Sequence, residues 1–495
     1  MAGSRPNLSS LPPELNLFIL QELANLCNED YAARPGMGAY ASVCKNWQMF
    51  FEPLVFKHFT LAREDLSEFR QVTQDNRRRS LVRHIWLRLE EPSALQHSEL
   101  GLEQYKWSQP YFTDIIWNLW TTISQWKVEE LAEFGGQQGL TLELSSHKYF
   151  PTQEDTFIPQ EDYRAYSQSL GNELSAAYKT VSKFYFNAPL YGWDLSTKAK
   201  RDLFCKGVRV DSRPLPQVEV VTGFFTRRAY TQNVRPEVLF LIFDSLPRAK
   251  DIRIERWRHG LVACENEWRN GMQVDLPHHV PASLETLAIF EEKGPRNGRF
   301  NLIPNDKLTE SVILGILHLK HLCLCFFING DEFFQKLSRS DMTQRLSGRG
   351  YQELTSLTLT SLRLKAKIDE NWDMLIWRGG VTELLQMAAA ATKLMPKLRL
   401  MEVWNGGDGN ASVFRYEVSD DNKGEISWQS TQNCEPFEQE VIEAWEKVAQ
   451  DHGLGGLTIR PSTLLSGDFT YYGSIIPLLT SKEEVVHPMS VAQMT

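Results

Sequence analysis

LETLAIF (residues 284–290), LKHLCLC (319–325) and LTSLTLT (354–360) repeat one apolar pattern, L-x-x-L-x-L, along the chain. Alternating apolar residues over so short a run indicate a β-strand with a buried face. The second apolar position lies at Leu287, Leu322 and Leu357, and Ile252 precedes them at the same spacing of 35 residues. Equal spacing over four units predicts a solenoid-type repeat array. The sets are Ala249/Ile252/Ile254, Leu284/Leu287/Ile289, Leu319/Leu322/Leu324 and Leu354/Leu357/Leu359, followed after a longer interval by Met395/Leu398/Leu400.

Helical patterns lie between these strands, and each predicted helix leads into a strand. Their apolar positions include Ile115 and Leu119, Val238 and Ile242, Val312 and Ile316, and Leu384 and Ala388. Two earlier runs, Val82/Ile85/Leu87 and Leu140/Leu142/Leu144, have the strand pattern at irregular spacing. This alternation predicts the α/β class with parallel strands. An ordinary doubly wound α/β sheet is the alternative, because it alternates in the same way.

The body of the chain, residues 61–404, resembles a leucine-rich-repeat protein in this architecture. The resemblance implies that parallel strands line a curved sheet and that helices cover its back. The array is irregular and lacks the Asn that often ends the family's strand motif. Residues between the buried leucines would then project from the concave side and bind a protein or peptide substrate. This predicted surface comprises Arg253, Glu255, Ala288, Phe290, Cys323, Cys325, Thr358, Thr360, Arg399 and Met401.

The N-terminal stretch, residues 8–60, predicts a small helical module. Pro12 and Pro13 stand where a helix can begin without losing a hydrogen bond. Leu15, Phe18, Ile19 and Leu23 follow at helical spacing along one predicted apolar stripe. A second helix is predicted to carry Tyr40, Val43, Cys44 and Trp47 on its apolar face, and Pro53 is predicted to open a third short segment.

LPPEL (11–15) and VCKNW (43–47) together resemble the two halves of an F-box. This resemblance implies docking on the Skp-type adaptor of a cullin ubiquitin ligase. The residues it assigns to adaptor binding are Leu11, Pro12, Leu15, Ile19, Val43, Cys44 and Trp47. The intervening segment, residues 27–39, is longer than usual in an F-box and carries Arg34-Pro35-Gly36, which would break a helix and alter docking. The alternative is a helical cap whose Leu and Trp residues only close a core.

Composition limits the classes of partner. A net charge of −9 argues against nonspecific nucleic-acid binding, which needs a dominant basic field. Seven cysteines without framework spacing indicate reduced thiols and therefore a cytoplasmic or nuclear protein. No apolar run reaches the eighteen or so residues of a membrane span, so no membrane partner is expected.

Motifs for catalysis, nucleotide binding or a cofactor are missing from the sequence: G-x-x-x-x-G-K-[ST], G-x-G-x-x-G, G-x-S-x-G and H-E-x-x-H do not occur. We therefore expect neither an enzyme nor a cofactor. His318-x-x-His321-x-Cys323-x-Cys325 is the best metal candidate. Residues on one face of a strand follow each other in a row, about 6.5–7 Å apart, instead of converging as a tetrahedral zinc site requires. No metal is expected there.

The C-terminal part, residues 405–480, predicts a cap made of a β-hairpin around Asp420-Asp421-Asn422-Lys423-Gly424 and a helix with Val441 and Trp445 on its apolar face. Residues 481–495 are predicted to be a loose tail. Together the resemblances, of the divergent kind seen in filamentous fungi, imply a substrate-recognition subunit of a Skp–cullin–F-box ligase. Its partners would be the Skp-type adaptor, the cullin scaffold and an unidentified protein substrate. The alternatives are a ligase-independent interaction scaffold and an α/β enzyme with an unrecognised site.

Overall fold

The computed structural model describes residues 11–29, 37–90, 103–135, 139–147, 207–227, 233–258, 262–292, 305–346, 350–365, 374–407, 409–432, 436–467, 469, 472–487 and 490. Arg34-Pro35-Gly36, in the long segment of the F-box-like stretch, lies outside these residues.

The described part of the chain forms fifteen α-helices and thirteen strands. The helices are α1 (Pro13–Glu29), α2 (Met37–Ala41), α3 (Lys45–Val55), α4 (Leu66–Val72), α5 (Asn76–Arg79), α6 (Glu103–Ile123), α7 (Val128–Ala132), α8 (Pro236–Asp244), α9 (Val262–His279), α10 (Asp306–Gly315), α11 (Gly330–Ser338), α12 (Ser340–Arg345), α13 (Met374–Ala391), α14 (Gln439–Asp451) and α15 (Lys482–Val485). The strands are β1 (His58–Leu61), β2 (His84–Glu90), β3 (Leu140–His147), β4 (Val221–Thr226), β5 (Asp251–Trp257), β6 (Thr286–Glu292), β7 (His321–Cys325), β8 (Ser356–Thr360), β9 (Leu400–Gly407), β10 (Asn410–Val418), β11 (Gly424–Ser430), β12 (Leu457–Ile459) and β13 (Thr463–Leu464).

All thirteen strands belong to one mostly parallel sheet. The strands β1 to β12 lie side by side in chain order, and β13 pairs with β11. Neighbours are parallel from β1 to β9, whereas β9, β10 and β11 form antiparallel pairs. The predicted α/β class is confirmed. The reversal of strand order that defines a doubly wound sheet does not occur among these strands.

The predicted strand repeat is confirmed in the hydrogen-bonded register. Ile252, Leu287, Leu322 and Leu357 are direct partners on β5, β6, β7 and β8. All four side chains are fully buried in the large core between the sheet and the helices. The hairpin of β10 and β11 and the helix α14 also form as expected.

The predicted register of β9 is wrong. Leu357 pairs with Met401 and Leu359 pairs with Val403, so the repeat continues as Leu398/Met401/Val403 and not as Met395/Leu398/Leu400. Met401 therefore faces the helices and belongs to the main core. Because strand side chains alternate, Glu402 and Trp404 take the opposite face, where Arg399 and Met401 had been expected.

The N-terminal helices close around Phe51. Leu20 and Ala24 of α1 contact it, and the ring of Tyr40 stacks on it with centroids 5.5 Å apart. Leu15 and Phe18 point away from this small core, because α1 is apolar on both sides. Two expectations for this module are wrong. The residues Val43 and Cys44 lie in the turn between α2 and α3. Finally, α3 continues through Pro53.

Candidate functional site

The surface of the N-terminal module carries an unusual share of the exposed apolar side chains. Eight of the fifteen large apolar side chains that are exposed among the described residues lie between positions 11 and 54. Soluble proteins seldom concentrate such residues without a partner to cover them. Within the module, the largest exposed fractions belong to Phe18 and Met49, each 61% exposed, and to Val43, 60% exposed.

The residues predicted to bind an adaptor divide between exposed and half-buried positions. Leu11, Pro12, Leu15, Val43 and Cys44 are exposed, whereas Ile19 and Trp47 are half-buried. Trp47 packs against Tyr40 and Phe51, with ring centroids 5.9 Å away in each case, so it supports the module from inside. The prediction missed Leu17, Phe18, Leu26, Met49 and Leu54, which are all exposed. Helical spacing placed Phe18 on the same apolar stripe as Leu15 and Ile19, but Phe18 was not assigned to adaptor binding.

The module is joined to the body by a buried carboxylate. Glu52 of α3, 3% exposed, forms ion pairs with Arg77 and Arg78, which lie on α5. Gln48 also donates to Glu52, at 2.9 Å. Burial by itself would raise the pKa of Glu52, but the hydrogen bonds from Gln48, Arg77 and Arg78 outweigh it and lower the pKa. These bonds fix the orientation of α3 relative to the first strands.

The face of the sheet opposite the main core is covered by the end of the chain. We call residues 472–487 together with 490 the C-terminal strap, and the sheet face beneath it the strap face. Ile475, Ile476, Leu479, Val485 and Val486 of the strap are buried in a second apolar cluster. From the sheet this cluster contains Ala288, Phe290, Cys323, Cys325, Phe326, Trp404, Ala411 and Val413. The predicted loose tail is therefore wrong for residues 481–487 and 490.

Two buried carboxylates of the sheet hold the strap by its main chain. Glu402, which is fully buried, accepts from the N–H groups of Thr480 and Ser481 at 3.0 and 2.9 Å and from the Ser481 hydroxyl. Glu255 accepts from the N–H of His487 at 2.6 Å and from the hydroxyl of Ser490. Backbone N–H groups satisfy these charges where water cannot reach them.

Two arginines bind carbonyl groups of the same segment. Arg415 donates to the Leu478 carbonyl at 2.7 Å and also pairs with Glu402. Arg253 donates to the carbonyl of Glu483. Side-chain contacts complete the arrangement: Ser356 donates to Glu484 at 2.8 Å, Thr358 donates to Ser481 at 2.8 Å, and His321 pairs with Glu484 at 3.3 Å.

The predicted substrate surface is thus an internal interface and not an open one. Phe290, Thr358 and Thr360 are fully buried and Glu255 is 4% exposed, and the strap covers Phe290, Thr358 and Glu255. Thr360, the last residue of β8, accepts at 2.7 Å from the N–H of Phe326, which lies in the turn after β7. Arg253 is half-buried against the strap, and Arg399 is exposed just before β9. The strap is distant in sequence from the strands that it covers, and no pattern in its sequence predicts that it packs on them.

The two thiols of the metal candidate lie closer together than backbone spacing suggests. Cys323 and Cys325 have their Sγ atoms 3.6 Å apart beneath the strap, and burial raises the pKa of Cys323 well above its usual value. His321, from the same motif, pairs with Glu484. In the part of the chain that the structure describes, no group of three or more His, Cys, Asp or Glu side chains could hold a metal ion.

A buried histidine on β1, His58, makes the stability of the first strands sensitive to pH. His58 of β1 lies 5.7 Å from His84, measured between ring centroids. Burial, with smaller contributions from His84 and Lys57, lowers the pKa of His58 from 6.5 to about 3. Between these values the unfolded chain binds a proton that the folded chain excludes. The stability contributed by neutral His58 is therefore present above pH 6.5 and is lost as the pH falls.

We expect His58→Gln to flatten the acid side of the stability profile. The slope of the unfolding free energy against pH should fall by about 1.4 kcal/mol per pH unit, the value for one proton. Chemical denaturation at several pH values between about 4 and 6 measures both slopes within the range where one proton separates the two states. Parallel slopes for the parent and the variant would contradict the prediction.

Comparison with known proteins adds one match. Residues 279–487 match the model of a family of unknown function (DUF6546). The matched region includes β6 to β13 and most of the strap. No curated protein matches the chain. Among the described helices, none is long and apolar enough to cross a membrane.

Proposed function

We propose that this chain is the substrate-recognition subunit of a Skp–cullin–F-box ubiquitin ligase. The observation that carries the proposal is the concentration of exposed apolar side chains on the N-terminal module, where the F-box resemblance lies. Leu15 and Phe18 on α1 are 51% and 61% exposed, and Val43 in the turn between α2 and α3 is 60% exposed. Such residues suit a helix-lined groove on a partner, because burying each of them is worth about 1.5–3 kcal/mol.

The mechanism would be proximity alone. The module docks on the Skp-type adaptor and through it on the cullin scaffold, and the body of the chain holds a protein target near the ubiquitin-conjugating enzyme. The ion pairs of Glu52 with Arg77 and Arg78 support this role, since they couple the docking module to the sheet. The sheet, with strands at a 35-residue repeat, is consistent with a leucine-rich-repeat-like body. This function implies a cytoplasmic or nuclear location and no nucleic-acid partner.

The proposal is tested by binding of the full chain to a purified Skp-type adaptor on a biosensor. We expect the parent to bind and Leu15→Glu combined with Phe18→Glu to weaken binding by about a hundredfold or more, as for other apolar anchors at an interface. Leu464→Glu is the matched control, because Leu464 is 60% exposed on β13, far from the module in sequence. Circular dichroism and a cooperative melting transition establish that each variant is folded.

Failure of the parent to bind would overturn the ligase function. A ligase-independent scaffold is then the better interpretation, with the same apolar surface serving another protein. Equal weakening by Leu464→Glu would show that the effect is unspecific and would also contradict the proposal.

A further inference from the structure

The strap lies on the sheet without being part of it. Between residues 472 and 490 the described backbone forms two single-turn 3-10 helices, Tyr472–Ser474 and Ile476–Leu478, and the four-residue helix α15. None of these described residues pairs with a strand. The ladder from β1 to β11 would therefore remain complete if the strap moved away. A segment held only by side chains and apolar contacts can open locally at a lower cost than a core strand.

The sheet recognises the strap mainly through groups that any peptide possesses. Glu402 and Glu255 accept from backbone N–H groups, while Arg415 and Arg253 donate to backbone carbonyls. Donors and acceptors are thus presented in fixed positions to a main chain that crosses the face. This arrangement gives affinity for a peptide, and the side chains between these bonds give the selectivity.

The contacts of the strap indicate which side chains a ligand of the strap face needs. Aliphatic residues fill the cluster around Phe290, Phe326 and Trp404, and a serine hydroxyl donates to Glu402. Phe326 and Trp404 meet edge to face, with ring centroids 5.3 Å apart, and form one wall of this cluster. A ligand for the strap face would be a segment with aliphatic residues on both sides of a serine, as in Ile475-Ile476-Pro477-Leu478-Leu479-Thr480-Ser481 and the following Val485-Val486.

Leaving the face uncovered would be costly. Glu402 is fully buried and Glu255 is 4% exposed, so departure of the strap removes N–H and hydroxyl donors from two carboxylates. Buried charges are stable only while their hydrogen bonds are made. A replacement peptide with the same groups restores these bonds, whereas an apolar surface without donors does not.

We propose that the strap is an internal ligand of the strap face and that a target protein binds by replacing it with a segment of the same chemistry. The inference rests on the proposed function only in taking that protein to be a ligase target. The target would then bind on the predicted substrate surface, but the strap covers this surface in the free chain. Recruitment requires the strap to leave.

The test uses the full chain and the thiols beneath the strap. Ser481→Asp places a carboxylate against Glu402 and should release the strap by charge repulsion. We expect alkylation of Cys323 and Cys325, measured by peptide mass spectrometry, to become about tenfold to a hundredfold faster, since a charged hydrogen bond of this kind is lost. Thr480→Asp is the matched control, because it adds the same charge on the neighbouring residue, whose side chain is exposed.

Cys264, half-buried at the start of α9, serves as the internal reference. Its alkylation rate should not change in Ser481→Asp, which separates release of the strap from general unfolding. If Ser481→Asp does not fold, Ser481→Ala, which only removes the hydroxyl donor, should still give a severalfold acceleration at Cys323 and Cys325 alone. The proposal would be overturned if alkylation of Cys264 always accelerated together with that of Cys323 and Cys325. It would also be overturned if neither Ser481→Asp nor Ser481→Ala accelerated alkylation of Cys323 and Cys325. The strap would then be a fixed part of the fold.

The second measurement adds the ligand in trans. A fluorescent synthetic peptide of residues 472–490 should bind the Ser481→Asp chain, slow the alkylation of Cys323 and Cys325 and bind the parent at least about tenfold more weakly, because the parent's own strap competes. The same peptide carrying Ser481→Asp should not bind. Absence of binding to the released face would overturn the proposal. None of these readouts uses the Skp-type adaptor, so failure of adaptor docking and failure of the strap exchange are distinguishable.

Discussion

Replacing Glu291 by alanine should lower the free energy of unfolding by about 3–5 kcal/mol, the usual cost of breaking a buried ion network. Glu291 is fully buried at the end of β6 and accepts from the guanidinium groups of Arg256, Arg258 and Arg269. Glu265 also pairs with Arg256 and Arg269. Burial lowers the pKa of Arg258 in spite of the nearby Glu291, and its guanidinium also donates to the Phe326 carbonyl. Removing Glu291 would leave it without its carboxylate.

The measurement is chemical denaturation of the parent and Glu291→Ala, followed by far-ultraviolet circular dichroism. Glu285→Ala is the matched control, because Glu285 lies immediately before the other end of the same strand. Glu285 bridges Lys250 and Lys320 at the surface, where ion pairs contribute about 1 kcal/mol or less. If the two variants lose the same stability, the buried network is not what holds the ends of β5 and β6 to α9.

Trp404→Ala should cost about 3–5 kcal/mol, as for other fully buried tryptophans, and should also loosen the strap. Trp404 lies on the strap face of β9, packs edge to face on Phe326 and belongs to the cluster that receives Ile475 and Ile476. Its loss therefore leaves a cavity directly beneath the strap. Both the unfolding free energy and the alkylation rates of Cys323 and Cys325 should change.

The matched control for this prediction is Trp428→Ala. Trp428 is 1% exposed and belongs to the core on the helix side of the sheet. We expect a similar loss of stability without faster alkylation of the two thiols under native conditions. Faster alkylation in both variants would mean that the thiols report general opening of the sheet, and it would contradict the assignment of Trp404 to the strap interface.

The strand repeat was predictable because its information is local. Leu287, Leu322 and Leu357 recur at one spacing, and alternation within each run fixes which side chains face the helices. The same reasoning failed at β9. Several apolar residues before and within this strand fit the pattern in more than one frame, and the longer interval across α13 removed the constraint of equal spacing. Only hydrogen bonding to β8 decided that Met401, and not Leu400, is buried.

The N-terminal module illustrates a second limit. The sequence predicted α1, because its start signal and apolar spacing are local features, but it placed Val43 and Cys44 inside a helix where the chain turns between α2 and α3. It could not decide which side of α1 is buried, since Leu15, Phe18, Leu20 and Ala24 leave apolar residues on both sides. Contact with Phe51 of α3 selects Leu20 and Ala24 for the small core and leaves Leu15 and Phe18 exposed.

The sequence by itself determined the α/β class, the period of the central strands and the hairpin and helix near the C-terminus, because each depends on residues close together in the chain. Only the tertiary structure decided that the strap covers the predicted substrate surface. The contacts responsible join residues as far apart as Arg253 and Glu483, separated by 230 positions. Such pairs leave no periodicity in the sequence. Glu255 and Glu402 bind the strap only because the folded chain brings backbone N–H groups to their buried carboxylates.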